Sequence, residues 1–125
     1  MEIEPNDVAP PAANYAHAVV TEGASRWLHT SGVVPIALDG STPDDLAEQA
    51  ALVWSNIGAM LRDAEMSPAD IVSVTTYVVV GEELGPVMAA RDAALGDHRP
   101  ASTLIPVPAL AQPQWRVEIT LVAAH

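Results

Sequence analysis

The spacing of apolar residues along the chain predicts two helices. Apolar residues recur every three or four positions between 46 and 64, which predicts an amphipathic helix lying on another layer of structure. Thr42 is expected to cap this helix, and Pro43 suits its first position. A second helix is expected to open at Gly85-Pro86 and to stop at Gly96. The first helix presents Leu46, Ala50, Val53, Ile57, Met60 or Leu61, and Ala64 on one face, and the second carries Val87, Arg91, Ala94 and Leu95.

Segments that are rich in β-branched residues, or that alternate between apolar and polar residues, predict five strands. Residues 18–21 and 26–31 are expected to form a hairpin around a turn at 22–25. The other strands are predicted at 71–80, 101–107 and 116–123, with loops at 32–41 and 108–113.

The element order β-β-α-β-α-β-β predicts one α+β domain over residues 1–125, with an extended arm at 1–14. Its two helices are expected to lie on one face of a mixed, mostly antiparallel sheet. The other face keeps apolar residues such as Val74, Tyr77 or Val78, depending on the register. Two helices cannot cover both faces, so we expect an oligomer that buries the second face between copies.

The charge pattern excludes several classes of chemistry. The chain has five arginines, no lysine and a formal net charge of −11. Without lysine there is no Schiff-base chemistry of the kind that pyridoxal-phosphate enzymes use, and so acidic a chain disfavours nucleic-acid binding. The absence of cysteine excludes disulfides, thiolate catalysis and cysteine-ligated metals. His29, His98 and the terminal His125 are too scattered to predict a metal site.

The hydropathy of the chain predicts a protein of the cytoplasm. No segment combines the basic start and apolar run of a secretory signal. None reaches the roughly 18 apolar residues that are needed to span a bilayer. We therefore expect neither secretion nor membrane association.

Five segments, in chain order, match motifs of one family. They are Pro-Ala-Ala-Asn-Tyr-Ala-His-Ala-Val at 11–19, Thr-Ser-Gly-Val-Val-Pro at 30–35, Pro-Ala-Asp-Ile-Val-Ser-Val-Thr-Thr-Tyr at 68–77, Arg-Pro-Ala-Ser-Thr at 99–103 and Val-Glu-Ile-Thr at 117–120. They resemble the P-x-G-P-Y-S-Q-A-V, T-S-G-Q-x-P, D-I-V-K-x-T-V-Y, P-A-R-S/T and V-E-I-E motifs of the RidA/YjgF family of imine deaminases. Each motif is weak alone, and the ordered set is specific.

The resemblance implies a chorismate-mutase-like fold and a homotrimer with small-molecule clefts between subunits. It also implies hydrolysis of 2-imino or 2-enamino acids to 2-keto acids and ammonia, without a metal or an organic cofactor. The older endoribonuclease label of some relatives fits this acidic chain poorly.

The chain departs from the family where the charged chemistry is expected. Ser102 stands where the family has the arginine that grips the substrate carboxylate, and Thr120 where it has the acid/base glutamate. Val33 replaces a glutamine, and Met88 an asparagine of the second helix. These changes predict a pocket for a less charged ligand, or one that has lost its chemistry.

Other residues keep a place in the expected cleft. Tyr15 matches the family's pocket tyrosine, and Ser31 and Gly32 are expected to line the cleft, where glycine permits close backbone approach. His17 stands where a glutamine is common. A histidine can act as a general base, so His17 is either catalytic or merely hydrogen-bonded. Leu104 completes the expected ligand-binding set.

Two charged residues leave alternatives open. Glu118 shares a strand face with Thr120, so it is either a substitute carboxylate or one partner of an interface ion pair with Arg116 or Arg91. Arg99 either reaches the cleft or is a solvated surface residue.

Three functions follow from these residues. The first is binding or hydrolysis of a weakly charged metabolite in a cleft lined by Tyr15, Gly32, Ser102 and Thr120. The second is imine or enamine deamination that uses His17 or Glu118 as the acid/base group and Arg99 as the cation. The third is a non-catalytic, chaperone-like or regulatory trimer.

Overall fold

The strands and helices of the protein form two sheets and one helical layer. The structure, a computed structural model, describes residues 1–125. In chain order its elements are β1 (Glu2–Ile3), β2 (Ala18–Val19), β3 (Trp27–His29), α1 (Leu46–Asp63), a 3₁₀ turn (Pro68–Asp70), β4 (Ile71–Val79), α2 (Leu84–Leu95), β5 (Ala101–Val107) and β6 (Val117–Ala124).

The main sheet has the strand order β3-β6-β4-β5. Strand β6 pairs antiparallel with both β3 and β4, whereas β4 and β5 are parallel and are joined through α2. Both helices pack on the same side of this sheet, around a cluster of 17 buried residues. The predicted α+β class, with two helices on one face of a mixed, mostly antiparallel sheet, is confirmed. Neither helix is long and apolar enough to cross a membrane.

The register decides which residues face the helices. Val74 and Val78 of β4 are buried on the helix side, as are Val117, Ile119, Leu121 and Ala123 of β6. Tyr77 lies on the opposite face, where it pairs with Glu118, and Thr75 pairs there with Thr120. Of the three apolar residues considered for the uncovered face, only Tyr77 lies on it. We call this uncovered side the open face.

The boundaries of the helices follow from their caps. Helix α1 begins at Leu46, because the Asp45 side chain accepts a hydrogen bond from the Glu48 N–H at 3.0 Å. The expected cap at Thr42 is therefore wrong. Gly96 ends α2 with φ of +58°, a conformation that suits glycine, so this predicted stop is confirmed. Met60 is 40% exposed, so Leu61 is the inward residue of that turn.

The predicted hairpin between residues 18–21 and 26–31 does not form. Ala18–Val19 pairs instead with Glu2–Ile3, so the arm doubles back rather than staying extended. Trp27–His29 pairs with β6, which buries Leu28 against the core and gives β6 a second neighbour. Pairing with a long, half-buried strand covers more apolar surface than a local hairpin would.

One buried polar residue fastens the start of α1 to the start of β6. Gln49 is only 1% exposed, yet its amide is fully used. Its Nε2 donates to the carbonyl oxygens of Pro43 and Gln114, both at 2.8 Å, and its Oε1 accepts from the Arg116 N–H at 3.0 Å. The apolar pattern of α1 did not predict this residue as part of the core.

Candidate functional site

The residues expected to form the cleft fall into two separate groups in the fold. We call Ser31, Gly32, Val33, Glu118 and Thr120 the β3-edge group, since they lie on β6 and on the chain that continues from β3. We call Tyr15, His17, Met88, Ser102 and Leu104 the β5-edge group, since they lie on β5, on the segment that pairs with its start, or, for Met88, on the helix that leads into it. Strand β4 separates β6 from β5, which corresponds to about 10 Å between those two strands.

A bulge shapes the β3-edge group. His29 pairs with Val122, but Val33 pairs with Ile119, so the register slips by one residue between them. Ser31 and Gly32 occupy the bulge and are exposed, and the Thr120 hydroxyl donates to the carbonyl of nearby Thr30 at 3.2 Å. Bulges of this kind redirect side chains and are common next to active sites.

Glu118 folds over the glycine of this bulge. A Cβ atom added to Gly32 would lie 2.7 Å from the Glu118 Cδ, so the carboxylate occupies space that only glycine leaves free. No side chain or backbone N–H of the chain bonds to this half-buried carboxylate. Arg116 pairs with Glu82 at 3.1 Å and Arg91 with Asp92 at 3.1 Å. The ion pair that was one interpretation of Glu118 is therefore not made within the chain.

The strand part of the β5-edge group faces the helices. Ser102 pairs with the buried Val74 and Leu104 with the buried Thr76, and directly paired residues point to the same side of a sheet. Leu104 packs against the core. Helix α2 joins β4 to β5, and it carries the half-buried Met88 in its second turn. Ser102 and Thr120 consequently lie on opposite faces of the sheet, and one chain does not bring them together.

A buried arginine lies on the same helix as Met88. Val87, Arg91 and Leu95 form the inward row of α2, and Arg91 is 6% exposed, the only charged residue in the buried set. Its Nε and Nη2 both bond to the same oxygen of the adjacent Asp92, at 3.2 and 3.1 Å. Val87 and Leu95 lie four residues before and after Arg91, so the sequence spacing already places Arg91 on the apolar face of the helix and predicts its burial.

Tyr15 and His17 flank the free edge of β5. Ala16, between them, pairs in parallel with Ala101 and donates its N–H to the Pro100 carbonyl at 3.1 Å. The two rings meet edge to face, with their centroids 6.1 Å apart. The His17 Nε2 lies 2.6 Å from the Ala9 carbonyl oxygen, so the arm already satisfies this imidazole nitrogen.

The arm lines a cavity of about 480 Å³ together with Ala16, His17 and Arg99. Arg99 is held by two arm carboxylates, those of Glu2 and Glu4, each at 3.0 Å. The hydrogen bond from Arg99 lowers the pKa of Glu2, and the same bond raises the pKa of Arg99. Arg99 is therefore neither simply solvated nor free for a ligand while the arm is in place.

A second hollow, of about 370 Å³, lies between α1 and the chain that follows β3, and Gly32 is in its lining. Its lining is mostly apolar, and Asn56 fixes its rim by donating to the Ile36 carbonyl at 3.0 Å. No group of three or more His, Cys, Asp or Glu side chains is arranged to hold a metal ion. The chain thus offers an unpaired carboxylate on β6 and a buried guanidinium on α2.

The comparisons with known proteins agree with this architecture. A structure from Yersinia pestis, of a protein of unknown function named YyfB in the conserved Rid family, is 31% identical, with a TM-score of 0.89 over 100% of this chain and 98% of that one. A putative endoribonuclease from Thermotoga maritima is 26% identical, with a TM-score of 0.75 over 100% and 97% of the two chains. TdcF from Escherichia coli, crystallised with bound serine, shares the fold at 22% identity, with a TM-score of 0.74 over 100% and 98%.

A search of curated proteins gave no match. The family model described as Endoribonuclease L-PSP matches residues 6–125, which is nearly the whole chain. Together with the Rid-family structure that covers the chain at 31% identity, this match shows that the chain belongs to the RidA/YjgF (L-PSP) family.

Proposed function

We propose that this protein hydrolyses a small metabolite with a C=N bond, in a site that two copies of the chain form together. The observation that carries the proposal is the Glu118 carboxylate. It is half-buried, lies against Gly32 in a β-bulge and has no partner in the chain. An unpaired carboxylate in such a place is suited to exchange protons with a ligand.

The separation of the two groups supports a site between subunits. The β3-edge group and the β5-edge group lie towards opposite edges of one sheet. They meet only if the β3 edge of one copy faces the β5 edge of the next. A head-to-tail contact of this kind closes into a ring, and the family resemblance implies three copies.

The open face supplies the surface on which copies would pack. It carries the half-buried Tyr77, Val79 and Val122, and it also carries Trp27 and Ile105, which are 51% and 39% exposed. No helix covers these residues, and burying them between copies is favourable.

The residues define a short reaction sequence. Water adds to the carbon of the protonated C=N bond while Glu118 accepts one of its protons, which gives a neutral tetrahedral carbinolamine. Glu118 then returns that proton to nitrogen. The C–N bond breaks and ammonia leaves as the C=O bond forms, and the hydroxyl proton of the carbinolamine passes to Glu118, which releases it to the departing ammonia or to water. The net reaction consumes one water molecule for each ammonia released and needs no oxidant or reductant.

Glu118 fits the acid/base role better than His17. The His17 Nε2 is engaged by the Ala9 carbonyl, in a cavity formed by the arm. Glu118 has free oxygens, and it shares the open face with Thr120, whose hydroxyl is hydrogen-bonded to Thr30 and can orient a ligand. We therefore assign the proton transfers to Glu118.

Binding of a weakly charged metabolite without turnover is the competing function. It is favoured by Ser102 and Thr120, the neutral residues at the two positions where the family resemblance implies charge. An RNA substrate, which the description of the family model suggests, is disfavoured by the formal net charge of −11, because the surface repels phosphates.

The proposal is tested with 2-aminoacrylate that a serine/threonine dehydratase generates from serine in situ. Semicarbazide traps the imine that has not been hydrolysed. Serine is the ligand in the TdcF crystal structure, and 2-aminoacrylate is its dehydration product. We expect the protein to lower the initial rate of semicarbazone formation in proportion to its concentration. An unchanged rate at high protein concentration would leave the binding function as the better account.

Substitution of Ile105 by glutamate is expected to break the oligomer. A carboxylate at this open-face position would have to be buried against another acidic copy, which costs several kcal/mol per contact. Size-exclusion chromatography with light scattering should show a trimer for the wild type and a monomer for I105E. Leu38→Glu is the matched control, because Leu38 is fully exposed in a loop away from the sheet. An I105E protein that stays trimeric contradicts assembly through the open face.

A further inference from the structure

We propose that the hollow of about 370 Å³ between α1 and the chain after β3 receives an apolar substituent of the substrate. We call it the Gly32 hollow. The preferred substrates are then imines that carry a branched or long apolar group, such as the imine of leucine, rather than the small 2-aminoacrylate. This inference rests on the function proposed above and names the substrate class of the same site.

Gly32 connects the hollow to the carboxylate that is assigned the proton transfers. This glycine is part of the lining of the hollow. It is also the residue against which Glu118 lies, since a Cβ atom added to Gly32 would be 2.7 Å from the Glu118 Cδ. One residue spans only about 3.8 Å of chain. A ligand whose C=N carbon lies at Glu118 therefore has its substituent within a few bonds of the hollow.

The lining of the Gly32 hollow selects for an apolar group. Five of its seven residues are apolar, and none carries an ionisable side chain. Ile36 and Met60, two of the large residues in its wall, are 38% and 40% exposed. Covering these side chains with an apolar group removes both surfaces from water, whereas a charged group would lose its hydration without gaining a partner.

Hydrogen bonds hold both walls of the hollow in place. The Asn56 Nδ2 of α1 donates to the Ile36 and Val34 carbonyl oxygens, at 3.0 and 3.4 Å, and so ties the helix to the facing chain. Val33 exchanges two backbone hydrogen bonds with Ile119, at 2.7 and 3.0 Å, and so ties that chain to β6. The hollow is thus formed before a ligand arrives, which lowers the cost of binding.

The other hollows of the chain lack one of these two properties. The arm cavity contains Glu4, His17 and Arg99, and the hollow at the start of α1 carries four carboxylates beside Arg116. The groove between α1 and α2 is uncharged, but no residue of the β3-edge group lines it. Only the Gly32 hollow combines an uncharged lining with a residue that contacts Glu118.

The test compares two imines that a D-amino-acid oxidase generates in situ, from D-leucine and from D-alanine, with semicarbazide as the trap and catalase to remove peroxide. The kcat/KM for each imine follows from the protein concentration that halves semicarbazone formation, corrected for hydrolysis without protein. We expect at least about a 10-fold higher kcat/KM for the leucine imine, because even a single methylene in an apolar pocket changes this ratio by that much.

Ala59→Trp is the diagnostic variant, because Ala59 is exposed on α1 and an indole at this position would fill the hollow. Its kcat/KM for the leucine imine should fall by about 10-fold or more, whereas the alanine imine, whose methyl group is too short to enter, should lose less than about 3-fold. Ala51→Trp is the matched control. Ala51 is an exposed alanine of the same helix that lines the groove between α1 and α2, so this variant should keep the wild-type preference.

Two results would overturn the assignment while leaving the proposed hydrolysis intact. The first is an equal kcat/KM for the two imines. The second is a preference for the leucine imine that survives in Ala59→Trp, because the apolar group would then bind elsewhere.

Binding measurements keep the two proposals separate if the wild type hydrolyses neither imine. Isothermal titration calorimetry should then show the keto acid 4-methyl-2-oxopentanoate binding at least about 10-fold more tightly than pyruvate, with the difference lost in Ala59→Trp. That result rejects the hydrolase and supports the subsite. Equal binding of the two keto acids, or no binding of either, rejects both.

Met60→Gln provides the second variant if Ala59→Trp does not assemble. It keeps the size of the side chain but puts an amide in the wall of the hollow. The kcat/KM for the leucine imine should fall by about 4-fold relative to the alanine imine, the equivalent of roughly one buried methylene. An unchanged preference in Met60→Gln would mean that a neighbouring copy fills the hollow, and it would contradict the proposal.

Discussion

Glu118→Gln is expected to lower the rate of imine hydrolysis by roughly 10²- to 10⁴-fold, the usual contribution of a positioned acid/base group. Glutamine has the same shape, so it keeps its place over Gly32. Its amide cannot accept a proton from the attacking water. The effect should fall on kcat rather than on KM, because the lost interaction belongs to the transition state.

The semicarbazide trapping assay with 2-aminoacrylate measures this loss directly. Glu22→Gln is the control, because this substitution removes the same charge from an exposed residue of the turn after β2. His17→Ala should retain most of the activity. Full activity in Glu118→Gln, or loss of activity in His17→Ala alone, would transfer the acid/base role away from Glu118.

The largest loss of stability is expected from Gln49→Met. Methionine fills nearly the same volume but makes none of the three hydrogen bonds of the buried amide. The carbonyls of Pro43 and Gln114 and the N–H of Arg116 would lose their partner in a place with little access for water. At about 1–3 kcal/mol for each unsatisfied buried group, we expect a loss of roughly 3–5 kcal/mol.

Urea denaturation at a fixed protein concentration is the appropriate measurement, because assembly itself adds to the apparent stability. Gln112→Met, in the exposed loop before β6, should change the midpoint very little. A midpoint for Gln49→Met within the error of the wild type would mean that the start of β6 is held by other contacts.

Periodicity was enough to predict the helices and most of the main sheet, because one face of each element is buried in a shared core. Periodicity did not predict the correct strand pairing or helix cap where a local preference competes with a contact to a distant part of the chain. Ala18–Val19 could pair with the next strand or with the arm, and only the folded chain decides in favour of Glu2–Ile3. In the same way, Thr42 and Asp45 are both acceptable caps, and the position of Leu46 in the core selects Asp45.

The motifs could propose members of the candidate site but not how the fold arranges them. The motifs pointed to Gly32 and Ser102. These two residues lie towards opposite edges of the sheet, and spacing along the chain cannot predict that because it depends on the order of the strands. Arg91 was visible as a charged residue in an apolar row, without any sign of how few partners it would have. The neutral Ser102 and Thr120 suggested a weakly charged ligand, whereas Glu118 places a carboxylate on the same strand face as Thr120.

The central claim is that one copy supplies Glu118 and its neighbour supplies the β5-edge group. It is tested by mixing Glu118→Gln chains with Ser102→Trp chains, whose indole would fill the β5-edge half of the site, in equal amounts, by joint refolding or co-expression, and measuring 2-aminoacrylate hydrolysis. Each variant alone should be nearly inactive. In randomly mixed rings about one quarter of the boundaries join two intact halves, so about one quarter of the wild-type activity should return. A mixture no more active than the average of the two separate variants would contradict a site shared between copies.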